Sequence, residues 1–235
     1  MPLMDDDDAI QLARELRLQE YGAGRTDHVP DAVVEPLWSG LRVIAAAQGD
    51  AAALLQDGDE ILGHEEVTQA LTRAVANTAS GVILDAYITK MISGEDTGLR
   101  PGIMPTPSVS KLLTRALVGG RVLDRAQQAE DDKADRAAQR FAEDEPVNLV
   151  AVDLLWLDGE SLLDVPLLER KRLLASVLPG DPLVRASMFV RPPVDTWIGS
   201  WREMGFRGLA YKGANSRYRP GEVAPDWITT PMPRR

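Results

Sequence analysis

The chain has 235 residues, 44% of them hydrophobic, which is enough to bury one large core or two lobes that share a core. Its formal net charge of −10 argues against strong non-specific binding to nucleic acid, which depends on an excess of basic residues. Because cysteine is absent, disulfide bonds, thiolate zinc sites and cysteine nucleophiles are excluded.

The N-terminal residues are acidic and contain no apolar stretch typical of a secretory signal. No run approaches the roughly eighteen apolar residues of a membrane span, so we expect a cytoplasmic protein that does not enter the membrane. The acidic run Asp5 to Asp8 precedes a segment with helical apolar spacing, and acids favour the N-terminus of a helix. We therefore expect a helix from Ala9 to Leu16, with the acids as a solvated cap.

Strands and helices follow in groups along the chain. The first half predicts strands at 41–47 and 51–56, a helix at 65–76, a buried strand at 81–89, a loop at 92–107, a helix at 108–118 and a charged helix at 121–143. The second half predicts strands at 148–157, 184–190, 206–212 and from 226, helices at 167–178 and 194–204, and a loop at 216–221. Asp164 is the expected cap of the helix at 167–178, with Pro166 in its first turn, and Trp197 and Trp201 are expected in the core. This grouping is typical of an α+β fold with antiparallel sheets.

Candidate chemical groups are few. Neither a P-loop nor a dinucleotide-binding glycine motif is present. His28 and His64 are the only histidines, and His64 opens a helix, which favours a cap or surface role over a metal ligand. Asp85 and Asp153 lie on predicted strands, where they are either solvated strand ends or the two acids of a magnesium site.

Four segments, taken together and in order, resemble the adenylation domain of ATP-dependent DNA ligases. Residues 35–42 read EPLWSGLR and resemble E-P-K-W-D-G-x-R, the segment that opens the ligase nucleotide site. The three further similar segments are 64–89, 150–173 and 205–228, so the resemblance spans roughly residues 30–231. It implies a nucleotidyltransferase (ATP-grasp-like) fold, in which two antiparallel sheets flanked by helices surround a groove.

The resemblance also implies a domain division. We expect an N-terminal helical segment at 1–29 and the adenylation domain at 30–235, with a charged helical insertion at about 108–146. The OB-fold domain that follows the adenylation domain in ligases is not expected in this chain, because the sequence after the last matching segment is rich in proline.

The departures from the family pattern fall at the nucleotide site. Leu37 replaces the lysine that takes the AMP, and leucine has no lone pair with which to attack. By the same resemblance, Ser39 replaces the residue that orders the lysine loop, and Tyr87 replaces the one that contacts ribose and metal. Val152 replaces the aromatic residue that stacks on the base, and Arg207 replaces an acid that binds metal. Thr229 and Pro231 replace two phosphate-binding lysines. The groove positions are then, by resemblance, Glu35, Leu37, Arg42, Tyr87, Val152, Arg207 and Lys212.

The sequence therefore predicts a catalytically inactive, ligase-like adenylation domain with a binding or accessory role in DNA repair. ATP and Mg²⁺ are cofactors of the family, and none is expected here. An active nucleotidyltransferase that uses a displaced lysine and a structural interaction module stay open as alternatives. We expect the partner to be either a protein or DNA. DNA would bind at a local patch of Arg217 and Arg219, and the alternative for these arginines is that they pair with Glu222 and Asp226.

Overall fold

Two β-sheets form the framework of the computed structural model, which describes residues 8–90, 147–178 and 180–233. The smaller sheet has the order β1 (Glu20–Gly22), β11 (Val223–Pro231), β10 (Gly208–Gly213), β2 (Ala32–Pro36). The larger has the order β5 (Asp59–Glu60), β4 (Ala51–Gln56), β3 (Leu41–Gln48), β6 (Val82–Thr89), β7 (Asn148–Leu157), β8 (Glu160–Ser161), and β9 (Val184–Ala186) also pairs with β7. The α+β class with two sheets is thus confirmed, whereas the insertion at 108–146 and the loop at 92–107 lie outside the described residues.

Two pairs of strands depart from the antiparallel pairing that was expected of the sheets. β1 pairs with β11 in parallel, and β9 pairs with β7 in parallel. Parallel neighbours need a long connection between them. The helix at 167–177 lies on the connection from β7 to β9, and almost the whole chain separates β1 from β11.

Four α-helices are found in the described segments: α1 (Ala9–Glu15), α2 (Glu65–Ala74), α3 (Leu167–Val177) and α4 (Asp195–Glu203). Asp8 caps α1 as expected, since its side chain accepts hydrogen bonds from the backbone N–H groups of Ile10 and Gln11. His64 takes the N-cap position of α2 but makes no side-chain cap bond. Residues 8–29 also contain β1 and a 3₁₀ turn at Thr26–His28, so this segment is not helical throughout.

The predicted cap of α3 is wrong. Pro166, not Asp164, stands at the N-cap, and no side chain caps the helix. The backbone N–H groups of Leu167 and Leu168 donate instead to the carbonyls of Ser216 and Ala214. The 214–216 loop therefore satisfies the helix N-terminus and ties α3 to the smaller sheet.

Two further predictions need correction. The strand expected at 184–190 ends at Ala186, because the chain then crosses to the other sheet, where Val190 forms an isolated bridge with Val34. Trp201 is fully buried as expected, and its indole N–H donates to Met188 Sδ at 3.1 Å. Trp197, one turn earlier on α4, was also expected in the core but is 47% exposed.

The larger sheet is buried on both faces. Along β3, Val43, Ala45 and Ala47 pack toward α2 and α3, whereas Ile44 and Ala46 pack toward the smaller sheet. This alternation is the two-residue period of a strand. Ile44 and Ala46 therefore line the space between the sheets, which is where the resemblance puts the groove. In the described segments no helix combines the length and apolar character needed to cross a bilayer.

Candidate functional site

A buried cluster of three charges lies between the two sheets. Lys212 Nζ on β10 is 3.2 Å from Glu35 Oε1 on β2, and Lys171 Nζ on α3 is 2.8 Å from the same oxygen. All three side chains are at most 1% exposed. None of these charged atoms makes a well-aligned hydrogen bond in the described part of the chain. The cluster holds two cations and one carboxylate, so it carries an excess of one positive charge.

The pKa of Lys171 is lowered in this cluster. Burial lowers the pKa of Lys171, with Glu35 opposing the shift and the like charge of Lys212 adding to it. The sequence prediction did not include this residue. A signal was available, because Lys171 lies four residues after Leu167 and three before Leu174, both buried on the inner face of α3.

Aromatic rings surround the two ammonium groups. Lys212 Nζ lies 4.2 Å from the ring centroid of Trp227 and 5.8 Å from that of Tyr21. Lys171 Nζ lies 5.7 Å from the ring of Phe189. A cation held over a ring face is attracted by the ring quadrupole, which offsets part of the cost of removing it from water.

Arg42, a predicted groove position, is turned toward Asp85. Its Nε and Nη2 donate to the two carboxylate oxygens of Asp85 at 2.9 and 2.5 Å. Asp85 is fully buried, the Arg42 side chain is 14% exposed, and Tyr218 Oη donates to Asp85 Oδ2 at 3.2 Å. The Arg42 guanidinium also lies over Tyr21, with its Cζ 5.0 Å from the ring centroid, and 6.0 Å from that of Tyr87.

Asp153 is held in the same way by Arg170. Nε and Nη2 of Arg170 donate to its two carboxylate oxygens at 2.9 and 2.7 Å, and both side chains are fully buried. The expectation that Asp85 and Asp153 are solvated strand ends is therefore wrong. A cation at either carboxylate would compete with a guanidinium fork. No group of three or more metal-ligand side chains occurs among the residues that the structure describes.

The remaining groove positions are largely apolar or turned to solvent. Leu37 is half-buried at the end of β2, where its backbone N–H donates to the Gly208 carbonyl at 2.9 Å. Tyr87 and Val152 are 7% and 2% exposed and belong to one apolar cluster. Burial raises the pKa of Tyr87 well above its usual value, so its hydroxyl stays neutral. Arg207 is exposed. This is expected, because an odd and an even position of one strand face opposite sides of the sheet, and Lys212 is buried.

The predicted DNA patch is only partly assembled. Arg217 and Arg219 are exposed in the 216–221 loop, while Tyr218 between them points inward. Arg219 lies 3.9 Å from Glu222, and both side chains are more than 60% exposed, so this pair is weak. Arg42 does not extend the patch, because Asp85 holds it inside.

An open concavity lies on a different face of the smaller sheet. A cavity of about 490 Å³ opens on the face of β10 that carries Tyr211, opposite to the face of Lys212. The residues that line it are Thr26, Asp27, Val29, Asp31, Ala32, Arg191, Pro192 and Tyr211, and the set includes none of the groove positions.

Comparison with known proteins agrees with this architecture. The model of the ATP dependent DNA ligase domain family matches residues 25–229. A DNA ligase of Natronomonas pharaonis is 27% identical over 227 residues, which is 95% of this chain and 37% of that protein. A DNA ligase of Methanothrix thermoacetophila is 37% identical over 92 residues, which is 38% of this chain and 16% of that protein. The chain thus spans less than half the length of these relatives.

Solved structures show the same fold. The ligase domain of LigD from M. tuberculosis superposes with a TM-score of 0.63 at 21% identity, covering 93% of this chain and 60% of that one. A mycobacterial DNA ligase D complexed with ATP and MES gives 0.62 at 20% identity, covering 92% and 60%. The match of the family model over most of the sequence shows that this chain belongs to the ATP-dependent DNA ligase domain family and has the fold of its adenylation domain.

Proposed function

We propose that this chain is a DNA ligase-type adenylation domain that does not form a lysyl-adenylate and acts by binding. The observation that carries the proposal is Leu37, which stands where the resemblance puts the nucleophilic lysine. Lys171 and Lys212, which lie between the sheets, are buried and held by Glu35. Attack on a phosphorus atom needs an amine with an exposed lone pair.

The groove also lacks the charge pattern that would hold a metal-bound triphosphate. Tyr87 stands where the resemblance puts a glutamate, and a neutral tyrosine supplies no charge to a cation. Arg207 replaces a family metal ligand with a cation. Asp85 and Asp153 are each paired with an arginine. Removing a single group that stabilises a transition state costs about 2.7–4 kcal/mol, and several are changed together here.

Label transfer tests the proposal. The chain is incubated with α-phosphate-labelled ATP or GTP and either Mg²⁺ or Mn²⁺, with an active ligase adenylation domain as positive control. We expect label on the control and none on this chain. A label that survives denaturation and maps to a lysine of this chain would contradict the proposal.

A displaced lysine is the second candidate, and the lowered pKa of Lys171 favours it. A lowered pKa raises the fraction of neutral, nucleophilic amine. If the chain takes up label, Lys171→Met removes it under this candidate, whereas Lys212→Met leaves it in place. These two side chains touch the same carboxylate oxygen, so they form a matched pair of variants.

We further propose that the binding role is linked to DNA repair in the cytoplasm, with DNA held weakly at Arg217 and Arg219. Both side chains are exposed on one loop. We expect Arg217→Ala with Arg219→Ala to weaken binding of nicked DNA and to lower the slope of log K against log salt by about one per lost phosphate contact. The control is Arg25→Ala with Arg191→Ala, which removes the same charge from arginines paired to Asp27 and Asp31. Equal losses in both variants, or no DNA binding by the wild type, would favour a protein partner.

A further inference from the structure

Residues 18–22, here named the strap, run beside β11 and carry Tyr21 against the buried charges. The ring of Tyr21 lies over both cations expected at the nucleotide site, with its centroid 5.0 Å from Arg42 Cζ and 5.8 Å from Lys212 Nζ. It also packs against Trp227, with centroids 5.8 Å apart. Burial raises the pKa of Tyr21, so this ring and its hydroxyl are a neutral cover for two cations.

A second residue of the strap is joined to the carboxylate below. The backbone N–H of Gln19 donates to Tyr218 Oη at 3.0 Å, and Tyr218 Oη donates to Asp85 Oδ2 at 3.2 Å. Asp85 in turn holds Arg42. The side-chain oxygen of Gln19 accepts from the backbone N–H of Arg219. The fully buried Gln19 thus connects the strap to the ion pair in the groove.

The strap is attached through its backbone by a strand shorter than the other strands of the smaller sheet. β1 has three residues, lies at the edge of its sheet and changes register between Tyr21 and Gly22. Short edge segments with few backbone bonds open locally at a lower free energy than central strands. Opening of the strap requires the loss of the β1–β11 pairing and of the Gln19 hydrogen bonds, but not of the pairing between β10 and β2.

We propose that the strap is a built-in occupant of the groove, which keeps polyanions from Arg42 and Lys212 until it opens. Under the strap, three cations (Arg42, Lys171 and Lys212) face two carboxylates (Glu35 and Asp85), so the uncovered groove has an excess of one positive charge. Oxygen atoms of a polyphosphate would then take the place of the Tyr21 ring. The inference rests on the proposed function for the location of the groove only, and it concerns non-covalent binding.

Titration calorimetry with inorganic tripolyphosphate tests the strap. We expect Tyr21→Ala to bind tripolyphosphate at least tenfold more tightly than the wild type, because the ring no longer covers the cations. Tyr21→Phe keeps the ring and should bind as the wild type does. In the Tyr21→Ala background, adding Lys212→Met should remove the gain. Equal affinities of Tyr21→Ala and the wild type, or a gain that survives Lys212→Met, would overturn the proposal.

Amide hydrogen exchange of the wild type gives a second measurement that needs no variant. Amides of the strap should exchange at least tenfold faster than those of β10, and saturating tripolyphosphate should speed the strap further. If the strap amides exchange as slowly as those of β10, and tripolyphosphate does not change their rate, the proposal is contradicted. This outcome can be read even if Tyr21→Ala fails to fold. Neither readout depends on label transfer, so this inference and the proposed function fail separately.

Discussion

At the scale of single residues, Glu35 is the counter-charge on which the groove depends. It is the only carboxylate within 4.0 Å of Lys171 and Lys212 in the described part of the chain, and all three are buried. Breaking a buried ion pair by removing one partner leaves an uncompensated charge, which costs more than the pair itself contributes. Here one substitution would leave two ammonium groups without a counter-charge.

We therefore expect Glu35→Gln to lower the free energy of unfolding by about 3–5 kcal/mol. The measurement is urea denaturation at neutral pH. Glu222→Gln is the matched control, because it makes the same chemical change in a pair whose side chains are more than 60% exposed, and it should have little effect. If both variants unfold at the wild-type midpoint, Glu35 is not the counter-charge that stabilises buried Lys171 and Lys212.

Sequence reasoning assigned residues to the groove by resemblance, but it did not show what those residues contact. The linear pattern carries the identities of Leu37, Tyr87 and Arg207. It does not show that Arg42 faces Asp85, because that contact depends on the pairing of β3 with β6. Tyr21 was missed for the same reason, since it reaches the groove from an element distant in sequence, whereas the helical spacing of Lys171 to Leu167 and Leu174 did indicate that Lys171 is buried.

At the scale of elements, hydrophobic periodicity located the longer strands and the helices of the described segments within a few residues, but it missed β1, β2, β5 and β8. It failed where an end is set by tertiary contacts. The 214–216 loop supplies the cap of α3, and the 187–190 segment leaves its strand to reach Val34. Parallel pairing of β1 also depends on a strand at the other end of the chain.

Gly40 offers a test of how tightly β3 meets its neighbour β6. It has φ of +111°, and a Cβ there would lie 2.1 Å from the Ile88 carbonyl oxygen. Gly49, in the turn between β3 and β4, also has positive φ (+59°), but a Cβ there would meet open space. We expect Gly49→Ala to cost about 1–2 kcal/mol from backbone conformation alone. Gly40→Ala should cost clearly more in the same denaturation assay, and equal costs would show that β6 can move away.

At the scale of the whole molecule, charge is divided between inside and outside. The formal net charge is −10, yet the space between the sheets encloses more cationic than anionic side chains around Glu35. General attraction to a phosphate backbone is then weak, so any DNA binding has to come from a local patch such as Arg217 and Arg219.

Alkaline pH tests whether the interior is closed as a unit. Burial raises the pKa of Tyr21, Tyr87 and Tyr218. In the unfolded chain tyrosine has a pKa of about 10, so above that pH the unfolded state loses protons that the folded state keeps. Stability is then unaffected by these groups below pH 10 and falls above it, by up to about 1.4 kcal/mol per pH unit for each tyrosine. Lys171 acts in the opposite direction, because its lowered pKa makes stability rise with pH until about 10.5, its unfolded value.

We accordingly expect tyrosinate absorbance and loss of circular dichroism to rise together in one transition above pH 10, once the tyrosines outweigh Lys171. Tyr218→Phe removes one buried hydroxyl, so the free energy of unfolding should fall less steeply with pH above 10 than in the wild type. The exposed pair variant Glu222→Gln serves as control and should keep the wild-type slope. Ionisation of all tyrosines near pH 10 with the dichroism retained would mean that solvent reaches Tyr21, Tyr87 and Tyr218 in the folded state, and that the groove between the sheets is open.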